Sequence, residues 1–101
     1  MLVCDSFSAD MLPEDCDFVR VCFTKLTLEQ AKNLINSRQF DSFVGTKTTA
    51  SAFSNLLNCD IAYNNDYLQF KYEDDLLLGL TKKNEKNYIE WFHITLTKSL
   101  M

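Results

Sequence analysis

YIEWFHITLT, the stretch from Tyr88 to Thr97, decides which fold this sequence can form. Apolar and polar side chains alternate along it, and aromatic and β-branched residues are frequent, so it predicts one long β-strand. Helices can cover only one side of a small sheet, yet Ile89 and Trp91 stand on the face opposite to Phe92. A second apolar face of this kind predicts contact with another molecule, and we expect a homodimer through it.

Shorter segments of the same type occur along the whole chain. These predicted strands are Met1 to Cys4, Phe18 to Thr24, Cys59 to Tyr63, Tyr67 to Tyr72 and Leu76 to Thr81. The last two should form a hairpin around the acidic turn from Glu73 to Asp75. The stretch from Asn64 to Asp66 predicts another turn because Asn and Asp tolerate left-handed backbone, and the polar stretch from Lys82 to Asn87 predicts a third.

Two segments have helical spacing and recognisable ends. Thr27 is followed three residues later by Gln30, which is the pattern of a capping box, and the apolar residues after it predict a helix that ends near Ser37. The second helix should begin within Thr46 to Thr49, after the turn at Gly45. It should end at Asn58.

The order of these elements predicts the fold class. It is an α/β fold of the α+β type, with a small mixed, largely antiparallel sheet and two helices packed on one face. A chain of 101 residues fits one domain, so we assign residues 1–101 to a single domain.

Composition excludes several classes of function. The net charge is −4, whereas duplex DNA binding usually requires a basic patch, so none is expected. The sequence has no apolar run long enough for a membrane span and no recognisable signal peptide, so we expect a cytoplasmic protein of the host cell. The acidic balance suits a partner with a basic groove.

Metal, cofactor and thiol chemistry are not expected. The four cysteines form no C-x-x-C pair, and His93 is the one histidine, so neither a zinc site nor any other cofactor site is predicted. Reduced thiols are expected in the cytosol. Cys22 should be a core residue, and Cys59 follows a helix end, where the helix dipole disfavours a thiolate.

His93 and the acidic turn are the other candidates for chemistry. A His-x-Thr pair on a strand is typical of two-histidine phosphoesterases, but that chemistry needs a second histidine. His93 is therefore interpreted as a half-buried strand residue. The acids Glu73, Asp74 and Asp75 are interpreted as a solvated turn rather than a hard metal site. With Trp91 they are our candidate interface residues.

The order of several short motifs resembles the small viral ring-nuclease family, which includes anti-CRISPR proteins against type III systems and has relatives in archaeal viruses and mobile elements. The motifs are Asp5-Ser6-Phe7-Ser8, the helix from Leu28 to Ser37, Val44-Gly45-Thr46-Lys47-Thr48-Thr49 at a helix start, and Leu56-Leu57-Asn58. The resemblance implies a mixed sheet with helices on one side and a two-fold dimer.

The resemblance also implies a cleft that binds cyclic tetra-adenylate, with a histidine that promotes attack on the phosphodiester. Residue by residue, the ligand-cleft candidates are Asp5, Ser8, Thr46, Lys47, Thr48, Thr49 and Asn65. The family's histidine falls on Thr46, and the arginine of its Asn-Arg pair falls on Asn65. The family's later arginine has no counterpart around Lys82 and Lys83.

These departures remove the catalytic groups while keeping the scaffold. Four phosphates call for cationic donors, and a threonine is no general acid or base near neutral pH. No catalytic residue is therefore assigned. The leading hypothesis is an inactive relative of the ring nucleases that inhibits a CRISPR effector by direct protein contact. The alternative is a protein that sequesters a cyclic oligonucleotide, or a residual ring nuclease.

Overall fold

The computed structural model describes residues 1–14, 19–82 and 88–98. Within them, the elements in chain order are β1 (Leu2–Cys4), β2 (Val19–Leu26), α1 (Leu28–Asn36), β3 (Asp41–Phe43), α2 (Lys47–Leu57), β4 (Asp75–Thr81) and β5 (Ile89–Lys98). A short 3-10 turn at Ala9–Met11 lies between β1 and β2. The predicted polar turn from Lys82 to Asn87 falls almost entirely outside the described residues.

All five strands belong to one sheet in the order β2-β5-β4-β1-β3. Strand β1 is parallel to both β3 and β4, while β5 is antiparallel to β2 and β4. The long strand predicted from Tyr88 to Thr97 is β5, an interior strand that lies between the edge strand β2 and the middle strand β4. The predicted mixed sheet with two helices is confirmed.

Local hydrogen bonds explain where the two helices begin and end. The Thr27 hydroxyl accepts from the Gln30 backbone N–H at 3.1 Å, and the Gln30 amide oxygen accepts from the Thr27 N–H at 2.9 Å. This is the predicted capping box. Helix α2 begins after Thr46 and ends at Asn58, whose φ of 56° is left-handed.

The helices cover one face of the sheet. Ala31 and Ile35 of α1 and Ala50 and Phe53 of α2 are buried against Trp91 and its neighbours on that face. The Phe53 and Trp91 rings are 4.8 Å apart between centroids. The sequence placed Trp91 on a second, exposed face, and this is wrong: the side chain is 3% exposed and belongs to the core.

Irregular segments cover the other face. Residues 7–12, around the 3-10 turn, and residues 66–72 lie across it and bury Met11, Leu68 and Phe70. The Phe70 N–H donates to the Met11 carbonyl at 2.7 Å and joins the two segments. Both faces of the sheet are thus covered within the chain: these segments cover the Phe92 face, and the helices cover the face of Ile89 and Trp91 from which the homodimer was argued.

Three predictions of strand structure are wrong. Tyr67 to Tyr72 forms no strand, because its alternating apolar side chains lie on the sheet instead of extending it. The hairpin around Glu73 and Asp74 is therefore absent, and Asp75 begins β4. Cys59 to Tyr63 forms only a single bridge, between Tyr63 and Val44. Conversely, β3 was not predicted.

Replacing Gly79 by Ala tests how tightly β4 packs beneath α2. A Cβ at Gly79 would lie 2.5 Å from a Phe53 ring atom and 2.8 Å from a Trp91 ring atom, so we expect a loss of about 1–3 kcal/mol in the free energy of unfolding. The control is Gly45→Ala, where the nearest atom lies 3.9 Å away and little change is expected. Urea denaturation measures both, and equal effects would contradict the packing argument.

Candidate functional site

A cleft of about 390 Å³ opens where two parallel strands end. Because β1 and β3 run in the same direction, their carboxyl ends lie at the same edge of the sheet. Asp5 follows β1 there, and Gly45 follows β3. Clefts beyond the carboxyl ends of parallel strands are common ligand sites. The lining residues are Cys4, Asp5, Ser6, Ser8, Asp10, Met11, Phe43, Gly45, Asn64, Asn65, Asp66, Tyr67 and Leu68.

Asn64 fixes one wall of the cleft. Its backbone N–H donates to the Val44 carbonyl at 3.0 Å, and its side-chain amide donates to the Ser42 carbonyl at 2.9 Å. Its side-chain oxygen accepts from the Asp66 N–H at 2.9 Å. The predicted turn at these residues is therefore anchored on β3 by an Asx-type arrangement, which places Asn65 and Asp66 at the cleft.

Tyr67 and the 3-10 turn form the opposite wall. The Tyr67 hydroxyl donates to the Asp10 backbone carbonyl, so the two covering segments meet at the mouth of the cleft. The Tyr67 side chain is 65% exposed although its hydroxyl is held. A large aromatic surface thus remains open to solvent beside the cleft.

The cleft is acidic. Asp5, Asp10 and Asp66 line it, and no lining residue, in the part of the chain that the structure describes, is Lys, Arg or His. The Asp5 carboxylate accepts from the Gly45 N–H at 3.4 Å. The protein's own carboxylate thus takes a backbone donor just ahead of α2, where an incoming anion would otherwise be attracted.

The first turn of α2 lies beside the cleft and does not line it. The Thr46 hydroxyl caps the helix by accepting from the Thr49 N–H at 3.3 Å and lies 2.7 Å from the Thr49 hydroxyl. The Thr46 hydroxyl is therefore occupied, because it caps the helix and donates to the Thr49 hydroxyl. The Lys47 ammonium lies 5.8 Å from the centre of the Tyr63 ring, a cation–π contact.

The structure brings together some of the residues that the sequence singled out. Asp5, Ser8 and Asn65 line the cleft. The other four candidates lie next to it at the start of α2: Thr46 as the cap, and Lys47, Thr48 and Thr49 in the first turn. The sequence missed Asp10 and Tyr67, which carry no motif. Their position depends on how the covering segments fold over the sheet.

A second polar cluster lies away from the cleft, around Asp75. One carboxylate oxygen lies 2.7 Å from His93 Nε2, and both oxygens accept from the two terminal nitrogens of Arg38. The Asp75 side chain is only 14% exposed, so its assignment to a solvated acidic turn is wrong, while its role as a candidate interface residue stays a prediction. Glu73 is exposed, and the Asp74 carboxylate accepts from the Lys71 N–H at 3.3 Å.

The pKa of Asp75 reflects this cluster. Burial alone would raise it, but the hydrogen bonds from Arg38 and His93, together with their charges, outweigh burial and hold the pKa below its ordinary value of 3.8. The predicted half-buried position of His93 on a strand agrees with its partly covered side chain. Its ring serves here as a hydrogen-bonding partner of a carboxylate.

The three cysteines in the described part of the chain, Cys4, Cys22 and Cys59, are free thiols in different surroundings. Cys4 is buried, and Cys22, which the sequence assigned to the core, is exposed because β2 is an edge strand. Burial and then the Asp60 charge raise the pKa of Cys59. Over residues 1–14, 19–82 and 88–98 there is no group of His, Cys, Asp and Glu side chains that could hold a metal ion. None of the helices described is long and apolar enough to cross a membrane.

Comparisons with known proteins give one family and one fold. A family model described as STIV B116-like matches residues 1–90. The structure is similar to that of B116 of Sulfolobus turreted icosahedral virus, with a TM-score of 0.75 over 93% of this chain and 97% of that chain, at 14% sequence identity. Comparison with curated proteins gives no significant match.

Asp75→Asn tests the polar cluster through its pH dependence. Because the folded-state pKa is lowered, the carboxylate contributes stability above its ordinary pKa of 3.8 and loses it as the pH falls through the folded-state value. The variant should be about 1–3 kcal/mol less stable at pH 6, and the difference should shrink in acid. Urea denaturation between about pH 2 and pH 6 measures this. The exposed Asp41→Asn is the control, and a difference independent of pH would contradict the assignment.

Proposed function

We propose that this chain, which belongs to the STIV B116-like family, is an anti-defence protein of a virus or mobile element. It inhibits a CRISPR effector by binding it directly, and it cleaves no nucleotide. The cleft at the ends of β1 and β3 is the surface that engages the effector.

The acidic lining of the cleft is the observation that carries this proposal. A cyclic tetranucleotide would bring four phosphates towards Asp5, Asp10 and Asp66. Two like charges about 4 Å apart repel by about 1 kcal/mol in water and about 4 kcal/mol at an effective dielectric constant of 20. With no cationic lining residue in the described chain to offset this, the cleft disfavours a polyanion.

A basic protein surface reverses the sign of the same interaction. Effectors that hold nucleic acid present grooves rich in Lys and Arg, and a guanidinium can pair with two carboxylate oxygens at once. Exposed pairs contribute about 0–1 kcal/mol each, so specificity would also need apolar contact. The exposed ring of Tyr67 supplies such contact at the mouth of the cleft.

The homodimer remains part of the proposal, with the host cytoplasm as its location. It now rests on the resemblance to the ring-nuclease family, because Trp91 offers no surface. Light scattering would give a mass above the 11.7 kDa of one subunit if two copies associate.

Reversing charge in the cleft tests the effector-binding function. The double variant Asp10→Lys/Asp66→Lys changes two exposed carboxylates of the cleft, and Asp5 is left intact because it binds Gly45. The control Glu29→Lys/Asp41→Lys makes the same change in net charge at exposed positions outside the lining. Immobilised protein is exposed to a panel of purified CRISPR effector complexes, and binding is followed by biolayer interferometry.

The unmodified protein and the control should bind one effector with similar affinity. The cleft variant should bind it at least about tenfold more weakly, which corresponds to about 1.4 kcal/mol. Absence of binding to every effector would refute the proposal. Equal affinity of the cleft variant and the control variant for the effector would show that the cleft is not the binding surface.

The side chains at the start of α2 favour a second candidate function, which is the binding of a cyclic oligonucleotide. Three threonine side chains and Lys47 lie at a helix N-terminus, which is the kind of position that attracts a phosphate. In this case the protein would sequester a cyclic oligoadenylate beside the cleft. Titration calorimetry with cyclic tetra-adenylate distinguishes the two candidates, because the effector-binding function predicts no measurable heat of binding.

Thr46→His tests whether catalysis was lost at the position of the family's histidine. Because Thr46 caps α2, both Thr46→His and the control Thr46→Ala should lose about 1 kcal/mol of stability. If a cyclic oligoadenylate binds beside the cleft, as the second candidate function requires, only the histidine variant should gain ring cleavage. The gain should be weak, below the roughly 10²- to 10⁴-fold that a positioned acid or base contributes, because no arginine is restored. Rapid cleavage by the unmodified protein would overturn the inactive-relative interpretation.

A further inference from the structure

Strand β2 is a long edge of the sheet, and no other strand among the described residues pairs with its outer side. It stands at one end of the strand order and has eight residues, whereas β3 at the other end has three. Eight residues extend for about 26 Å. Its inner side pairs with β5, so the backbone N–H and C=O groups on its outer side face away from the sheet. Such an edge is a template for another strand.

An aromatic side chain lies exposed in the middle of this edge. Phe23 is 51% exposed, and its ring is held by edge-to-face contacts with Phe7 at 5.5 Å and Phe92 at 6.3 Å between centroids. A ring fixed by two neighbours loses little conformational freedom when a partner covers it. Phe23 therefore has the character of a binding anchor.

The charged side chains of β2 are both cationic. Arg20 and Lys25 are exposed, and the strand has no acidic residue, although the chain carries a net charge of −4. They are five residues apart, so they stand on opposite faces of the strand. Each face of the strand thus carries one positive charge, with Phe23 on the same face as Lys25. The Glu90 carboxylate of β5 interacts with Lys25 but forms its ion pair with Lys82.

We propose that β2 is a docking edge for an extended, acidic segment of a partner protein, which pairs with it as a sixth, antiparallel strand. Backbone hydrogen bonds along the open edge supply the pairing. Acidic side chains opposite Arg20 and Lys25 fix its register, and an apolar side chain covers Phe23. This inference does not depend on the function proposed for the cleft.

A second copy of the chain is the alternative occupant. Two β2 strands joined edge to edge would gather two copies each of Arg20 and Lys25 and no acidic side chain from the paired strands. Like charges brought together across paired strands destabilise the pairing. Charge therefore favours an acidic segment over a second copy.

The register defines a probe. A capped peptide Thr-Glu-Thr-Val-Thr-Val-Glu-Thr, antiparallel to Val19–Leu26, places its glutamates opposite Lys25 and Arg20 and a valine opposite Phe23. The matched peptide carries Lys in place of both Glu. The protein variants are Arg20→Glu/Lys25→Glu and the control Lys32→Glu/Lys71→Glu, which has the same net charge and lies outside β2.

Amide chemical shifts and hydrogen exchange of ¹⁵N-labelled protein report the binding. The acidic peptide should cause saturable shifts along β2 and slow the exchange of alternate amides, those on its outer side. The Arg20→Glu/Lys25→Glu variant should bind it about tenfold more weakly and prefer the lysine peptide. The control variant should behave as the unmodified protein does.

Three outcomes would overturn the inference. The first is no saturable shift on β2, or shifts confined to the cleft. The second is equal affinity of the unmodified protein for both peptides, which would leave charge without a role. The third is a dimer, detected by light scattering, that dissociates in the Arg20→Glu/Lys25→Glu variant, which would identify the occupant of the edge as a second copy.

Discussion

Three consecutive leucines on β4, Leu76, Leu77 and Leu78, are fully buried. Because neighbouring strand residues point to opposite faces, both sides of the sheet must be kept from water at this place. Each buried leucine contributes about 1.5–3 kcal/mol, so exposing either face would remove a large part of the stability of a small domain. The two helices can satisfy this requirement on one side only.

The rest of the architecture follows from covering the second side. The chain uses residues 7–12 and 66–72 for this purpose, and they reach the sheet through Met11, Leu68 and Phe70. They also close the space around the ends of β1 and β3. The cleft is thus the gap left between the cover of one face and the entrance to α2. Two of its three acidic residues, Asp10 and Asp66, lie on the outer surface of the cover, and the third, Asp5, follows β1.

The sequence predicted the elements that depend on local contacts. Helix α1 was found because its cap involves residues three apart, and β5 because its alternation is long. The segment from Tyr67 to Tyr72 misled the prediction, because a strand and a segment lying flat on a sheet have the same alternating pattern. Strand β3 has three residues, Asp-Ser-Phe, with no pattern, and it forms because β1 offers it an edge.

The same distinction explains what could be predicted of the site. Asp5, Ser8 and Asn65 could be singled out because they lie in motifs that resemble a family, and the structure shows that they line one cleft; that they bind a ligand there stays a prediction. The positions of Asp10 and Tyr67 at the cleft could not be predicted, because they depend on a contact between residues 57 apart in the sequence. The sequence analysis assigned Asp75 to a turn because it follows two other acidic residues. In the structure it begins β4, since it pairs with Thr95 of β5, and this pairing cannot be predicted from the acidic residues alone.

In the cover of the second face, residues 7–12 and 66–72, buried and exposed side chains have different roles. Its buried side chains hold the fold, while its exposed ones, Asp10, Asp66 and Tyr67, give the cleft its polar and aromatic surface. The cover is not part of the regular strand ladder of the sheet. A replacement on the outer surface can therefore change the shape and charge of the cleft without altering the sheet beneath. A domain built in this way can vary its surface in small evolutionary steps while its fold stays the same.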